Sequence, residues 1–160
     1  MTLLPELLAL QQVLGNCGLH ETGLRDAVED LGLRSLSSAD PTSLGREDRR
    51  LLDQFAYRYM RLQDDMGARL MPAVLRALGE DVAAMPALDR FARLEQLGWL
   101  ASAEEWGGLG RIRNEFAHDY PETADERFAR LQLAIASAKR ALQILRGFQD
   151  KVWGRWPDLE

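Results

Sequence analysis

A chain of 160 residues, 46% hydrophobic and 28% charged, is long enough to bury one core and has the composition of an ordinary globular domain. Its formal net charge of −5 excludes a broad nucleic-acid-coating surface but leaves room for one local basic cleft. Lys139 and Lys151 are the only lysines, so nearly all positive charge is arginine. Arginine grips phosphate and carboxylate through two donors at once, although an arginine-favouring codon usage accounts for the bias more simply. Cys17 is the sole cysteine, which excludes an intramolecular disulfide and a zinc site built from cysteine and histidine. The opening "MTLLPELLALQQVLG" has no basic residue ahead of its apolar run, and Glu6 interrupts it, so it does not read as a signal peptide. No stretch approaches the length of a membrane span, and the expected location is the cytoplasm.

The first segment with clear form, "ETGLRDAVEDLGL", predicts a short N-terminal helix stopped at Gly32. Residues 34–45, "RSLSSADPTSLG", read as a loop, with Thr42 or Ser43 as candidate caps for the next helix. Over residues 46–79, Leu52, Phe55, Tyr59, Leu62, Met66 and Leu70 fall three or four apart, one apolar helical stripe. The opposite face is expected to carry Arg58, Arg61, Asp65 and Arg69. Pro72 lies inside this pattern and predicts a kink or break near Gly67–Met71. A third helix is expected over residues 85–97, with Pro86 near its start and Gly98 just past its end. A fourth, over residues 102–119, starts at Ser102 with Glu105 three residues on, a capping box. Thr123 and Glu126 repeat that box before the last helix, residues 122–149. Its seam of Phe128, Leu131, Ile135, Ala138, Leu142 and Leu145 suits packing along another long helix. The fold class is therefore an all-α, antiparallel helical bundle of four main helices plus the short N-terminal one, a single domain over residues 1–160.

One stretch carries chemistry. "RNEFAHDYPE" holds Arg113, His118 and Tyr120 in the pattern R-x-x-x-x-H-x-Y, at a helix end and directly before Pro121. Histidine is the side chain most easily poised to move protons near neutral pH. Arginine can hold a phosphodiester and stabilise charge building on phosphorus. Tyrosine offers a hydroxyl that donates or is modified. RNA brings its own nucleophile, the 2′-OH, so a histidine and an arginine suffice to cleave it without a metal or a cofactor. In a straight helix, residues five apart point about 140° away from each other. Arg113 and His118 therefore meet only if the helix unwinds near His118, or if two chains meet across a two-fold axis. Each residue also has a plain structural use: His118 complements a helix C-terminus, Arg113 pairs with Asp119 or another acid, and Tyr120 packs. The three together favour a site.

With that motif at a helix end in a small all-α chain, the sequence resembles the HEPN superfamily. The branch it looks most like is the HepT-like toxins of prokaryotic type II toxin–antitoxin pairs, which include nucleotidyltransferase substrate-binding relatives. "FAYRYMRLQDDMGARLMPAVL", residues 55–75, and "LDRFARLEQLGWLASAEEWGGLGRIRNEFAHDYPE", residues 88–122, carry the likeness. With the last helix it spans about residues 50–148. The resemblance implies a homodimer whose two motifs line one cleft, and a metal-independent endoribonuclease leaving 2′,3′-cyclic phosphate ends. It makes Arg113 and His118 the catalytic pair, with Asn114, Tyr120 and Asp65 supporting; for Asp65 a salt bridge to Arg61 or Arg69 is an equally good reading. It also makes Tyr120 a candidate for adenylylation by a nucleotidyltransferase-type antitoxin. The alternative it leaves open is a non-catalytic, nucleotide- or AMP-accepting partner of such an enzyme. "WGGLGR", residues 106–111, departs from the family pattern with three glycines that should loosen or bend the motif helix.

Overall fold

The computed structural model describes residues 4–34, 44–118 and 123–160, and among them every regular element is helical. In chain order these are α1 (Pro5–Gly32), α2 (Arg46–Asp65), a π-helical turn (Met66–Leu70), α3 (Met71–Ala77), a 3-10 turn (Val82–Ala84), α4 (Ala87–Gln96), α5 (Ala103–Ala117), α6 (Ala124–Arg155) and a closing 3-10 turn (Pro157–Leu159). No helix among the described residues is long and apolar enough to cross a membrane.

The N-terminal helix is a correction to the sequence reading: α1 is 28 residues long rather than short. Leu10, Leu14, Cys17, Leu24, Ala27 and Leu31 are all buried and form a stripe at helical spacing. Gly15 and Gly18 interrupt the local propensity at about 1 kcal/mol each, and burial of the stripe outweighs them. α1 lies chiefly against α2, with further contact to α3 and α6.

The irregularity expected at Pro72 is present as the π turn. Met71 donates its N–H to the Met66 carbonyl, five residues back. The wider turn lets the helix continue through a proline that cannot donate, and α2, the π turn and α3 run on without a gap. Gly45, rather than Thr42 or Ser43, stands at the cap of α2; the latter two lie outside the described residues. α3 and α4 both end on a glycine with positive φ, Gly79 (86°) and Gly98 (78°). Each is followed by a backbone N–H reaching five residues back, Glu80 to Leu75 and Trp99 to Leu94.

Both expected caps form, each through its hydroxyl. Ser102 Oγ accepts from the Glu105 N–H at 3.0 Å, and Thr123 Oγ1 from the Glu126 N–H at 3.1 Å. α6 runs 32 residues, past the expected end, because Phe148 and Val152 stay buried on the same side as Leu142 and Leu145. Where α2, α5 and α6 meet, Phe55 and Tyr59 stack at 5.5 Å, Phe116 sits edge-on to both, and Tyr59 donates to Ser137 Oγ at 3.1 Å. Burial raises the Tyr59 hydroxyl above its usual range, opposed by the Ser137 bond and the nearby Arg113 charge.

Candidate functional site

α5 brings the motif to its place. Trp106 and Leu109 are buried, and Ile112 and Phe116 pack against the core, so one face holds the helix down along its length. That face carries it unbroken through Gly107, Gly108 and Gly110, where the sequence suggests loosening. At its N-terminal end, Arg140 of α6 donates twice to the Glu105 carboxylate, at 2.9 and 3.0 Å, which holds that carboxyl below its usual range. Phe116 fixes the other end against α2 through its contacts with Phe55 and Tyr59.

The helix then stops. His118 is the cap residue, with extended backbone (φ −81°, ψ 110°) and an exposed side chain. Its N–H still donates to the Asn114 carbonyl at 3.1 Å, and its own carbonyl accepts from Arg130 of α6 at 2.9 Å. The unwinding considered for bringing Arg113 and His118 to one side thus occurs at His118 itself. Arg113, three-quarters or more covered, donates through Nη2 to Asp64 Oδ2 at 2.6 Å. Its Nε is buried and has no partner among the described residues. Among those residues Arg113 pairs with Asp64 and not with His118. Asn114 is exposed one residue after Arg113. Tyr120, with Asp119 and Pro121, lies outside the described residues.

Asp65, expected on the face of α2 opposite the apolar stripe and tied to the motif only by the resemblance, sits at the α1 side of the helix. It is 7% exposed and turned towards α1, where His20 Nε2 lies 3.5 Å from one of its oxygens, while Arg69 Nη1 lies 3.8 Å from the other. α2 is buried on two sides, against the core and against α1, so residues opposite the apolar stripe are not all solvated. His20 is the residue that sequence reasoning misses. Its Nδ1 lies 3.1 Å from Arg58 Nη1. A guanidinium only donates, so Nδ1 accepts and the ring proton sits on Nε2, facing Asp65. Burial lowers His20 below its usual value; Asp65 pulls it up, and Arg58 and Arg61 push it down.

The space for Arg58 comes from Gly23. A Cβ there would stand 2.7 Å from Arg58 Nε. The guanidinium then rests over the Tyr57 ring, 5.4 Å from its centre, with the His20 ring edge-on to Tyr57 at 6.1 Å. Cys17, one turn before His20, is fully buried. Burial pushes its thiol up to about 12, with Asp65 and Glu21 adding and Arg69 opposing, so it is no nucleophile. The sequence does hold a signal for this junction: the apolar stripe of α1 skips the turn between Cys17 and Leu24, where His20 and Glu21 stand instead.

Among the described residues, no three His, Cys, Asp or Glu side chains converge to hold a metal. The α5 end therefore offers an exposed imidazole and an arginine oriented by a carboxylate, and the α1–α2 junction offers a partly buried polar cluster. Comparison with protein-family models, curated proteins and solved structures finds no match, so similarity assigns no family.

Proposed function

We propose that the chain is a HEPN-type toxin of the HepT-like kind, an antiparallel helical bundle acting as a homodimer and cleaving RNA without a metal. The observation that carries this reading is the end of α5 at His118, which frees the imidazole to solvent within a complete R-x-x-x-x-H-x-Y motif. The Asp64–Arg113 pair supports it by aiming a guanidinium from the same helix.

In the proposed reaction the 2′-oxygen of a ribose attacks the adjacent phosphorus as His118 takes the 2′ proton. The bond from phosphorus to the 5′-oxygen breaks, that oxygen takes a proton from solvent as it leaves, and His118 returns the 2′ proton to solvent. The products are a 2′,3′-cyclic phosphate and a 5′-hydroxyl. Arg113 stabilises the charge that builds on the phosphoryl oxygens, a role worth on the order of 10²–10³ in rate for one donor. Asn114 supports the phosphate from the adjacent position, and Tyr120 completes the motif and is the site a nucleotidyltransferase-type antitoxin would modify. Asp64, rather than Asp65, takes the role of supporting acid.

The test is incubation of RNA with purified wild type beside His118→Ala, with EDTA present and the 3′ ends read. Cleavage by wild type alone, leaving cyclic phosphates, is the expected result. Equal cleavage by both proteins, or intact RNA with wild type, overturns the reading.

A further inference from the structure

The α1–α2 junction contains more than packing requires. Tyr57 is 53% exposed, yet its ring is flanked by the Arg58 guanidinium at 5.4 Å and the edge of His20 at 6.1 Å. Arg58 is not a loose surface side chain: His20 accepts from it, Asp65 backs His20, and Gly23 leaves the gap through which it passes. A partly buried polar set of this kind restrains what it holds, and what it holds here is an exposed tyrosine with a half-buried arginine beside it.

Arg61 stands one turn on from Tyr57, exposed and without an ion pair among the described residues, in a chain of net charge −5. Asp64, seven residues on from Tyr57, faces the same way and pairs with Arg113. That is about 10 Å along the helix axis, so one strand can reach both places. Arg50 and Asp53 flank Tyr57 on this face, and both are exposed. A partner helix seeking apolar area finds little here, whereas an aromatic ring beside arginines is how proteins hold unpaired nucleic acid, by stacking a base and neutralising its phosphates.

We propose that Tyr57, Arg58 and Arg61 form a platform for single-stranded RNA, with Tyr57 stacking on a base and the two arginines taking flanking phosphates. This rests on the ribonuclease reading of the α5 end and gives the strand its path towards Arg113. His20 and Asp65 are positioning residues for Arg58 and do not touch the RNA.

The experiment uses the His118→Ala protein, so that the probe, a fluorescein-labelled oligoadenylate, stays intact, and reads anisotropy at low salt. Tyr57→Ala in that background is expected to weaken binding about five- to hundred-fold, the worth of one stacked base converted at a tenfold per 1.4 kcal/mol. Tyr57→Trp is expected to retain binding. Arg61→Gln is expected to reduce the slope of log affinity against log salt by about one contact. Arg61→Gln and Tyr57→Trp decide the matter should Tyr57→Ala fail to fold. Affinities within twofold of the parent for Tyr57→Ala and Arg61→Gln, or no binding by the parent, overturn the platform. Cleavage by wild type is read separately. Cleavage that persists alongside unchanged binding by these variants removes the platform alone, and Tyr57-dependent binding without wild-type cleavage removes the ribonuclease reading alone.

Discussion

Asp64 and Asp65 are neighbours in sequence and belong to different parts of the molecule. Asp65 points into the α1–α2 junction at 7% exposure, between His20 and Arg69. The Asp64 side chain is 53% exposed and reaches across to Arg113 on α5. One step along a helix turns a side chain by about 100°, and here that turn separates a carboxylate that holds two helices together from one that holds a single arginine for use. The first is costly to lose because the carboxylate and its His20 partner are nearly enclosed; the second is cheap to lose for the fold and costly only for whatever Arg113 does.

The largest effect is expected where the two regions share a support. Tyr59→Ala removes a fully buried ring that stacks on Phe55, meets Phe116 and bonds Ser137, and should lower stability by roughly 3–5 kcal/mol in urea unfolding. Tyr59→Phe, losing only the hydroxyl, should cost about 1 kcal/mol. Ser102→Ala takes the cap from α5 and should cost about 1 kcal/mol, with faster amide exchange at Glu104 and Glu105 as its local mark.

Acid separates the regions by pH. His20 has a folded value below its ordinary one of about 6.5, so the unfolded chain takes the proton first. Its contribution to stability is complete above that ordinary value and is lost as pH falls through the lower, folded value. His20→Gln should lack this slope, and the difference between the two stability profiles isolates it. Glu80 and Glu105, held low by Arg93 and Arg140, begin to lose their contribution further down, below about 4.3, whereas the His20 loss begins below about 6.5. The smallest effect belongs to Gly23→Ala. A gain in helix propensity of about 1 kcal/mol opposes the displacement of Arg58, leaving stability nearly unchanged while the His20 titration moves up towards its ordinary value.

How much of the molecule is legible in its sequence depends on distance along the chain. Caps, the proline-induced irregularity and the apolar stripes depend on residues within one or two turns. Ser102, Thr123, the π turn before Pro72 and Gly98 accordingly all stand as expected. The motif is visible for the same reason, since Arg113 and His118 lie on one short segment. The His20–Asp65 contact joins positions 45 residues apart, and nothing local announces it beyond a gap in the α1 stripe. Periodicity understates the length of α1 because Gly15, Gly18 and the polar turn at His20 break it, while burial against α2 overrides all three. Asp65 reads as a companion of the motif only through the resemblance; the local reading, an ion pair with Arg69 one turn on, is the one the structure contains.

The division between the neighbouring aspartates is tested most directly by urea unfolding of Asp65→Ala beside Asp64→Ala at neutral pH. Asp65→Ala should lose about 1–3 kcal/mol, because it strands the His20 N–H in a nearly closed site. Asp64→Ala should lose less than about 1 kcal/mol, as an exposed ion pair does. Equal losses, or a larger loss for Asp64→Ala, would contradict the assignment of one carboxylate to the fold and the other to Arg113.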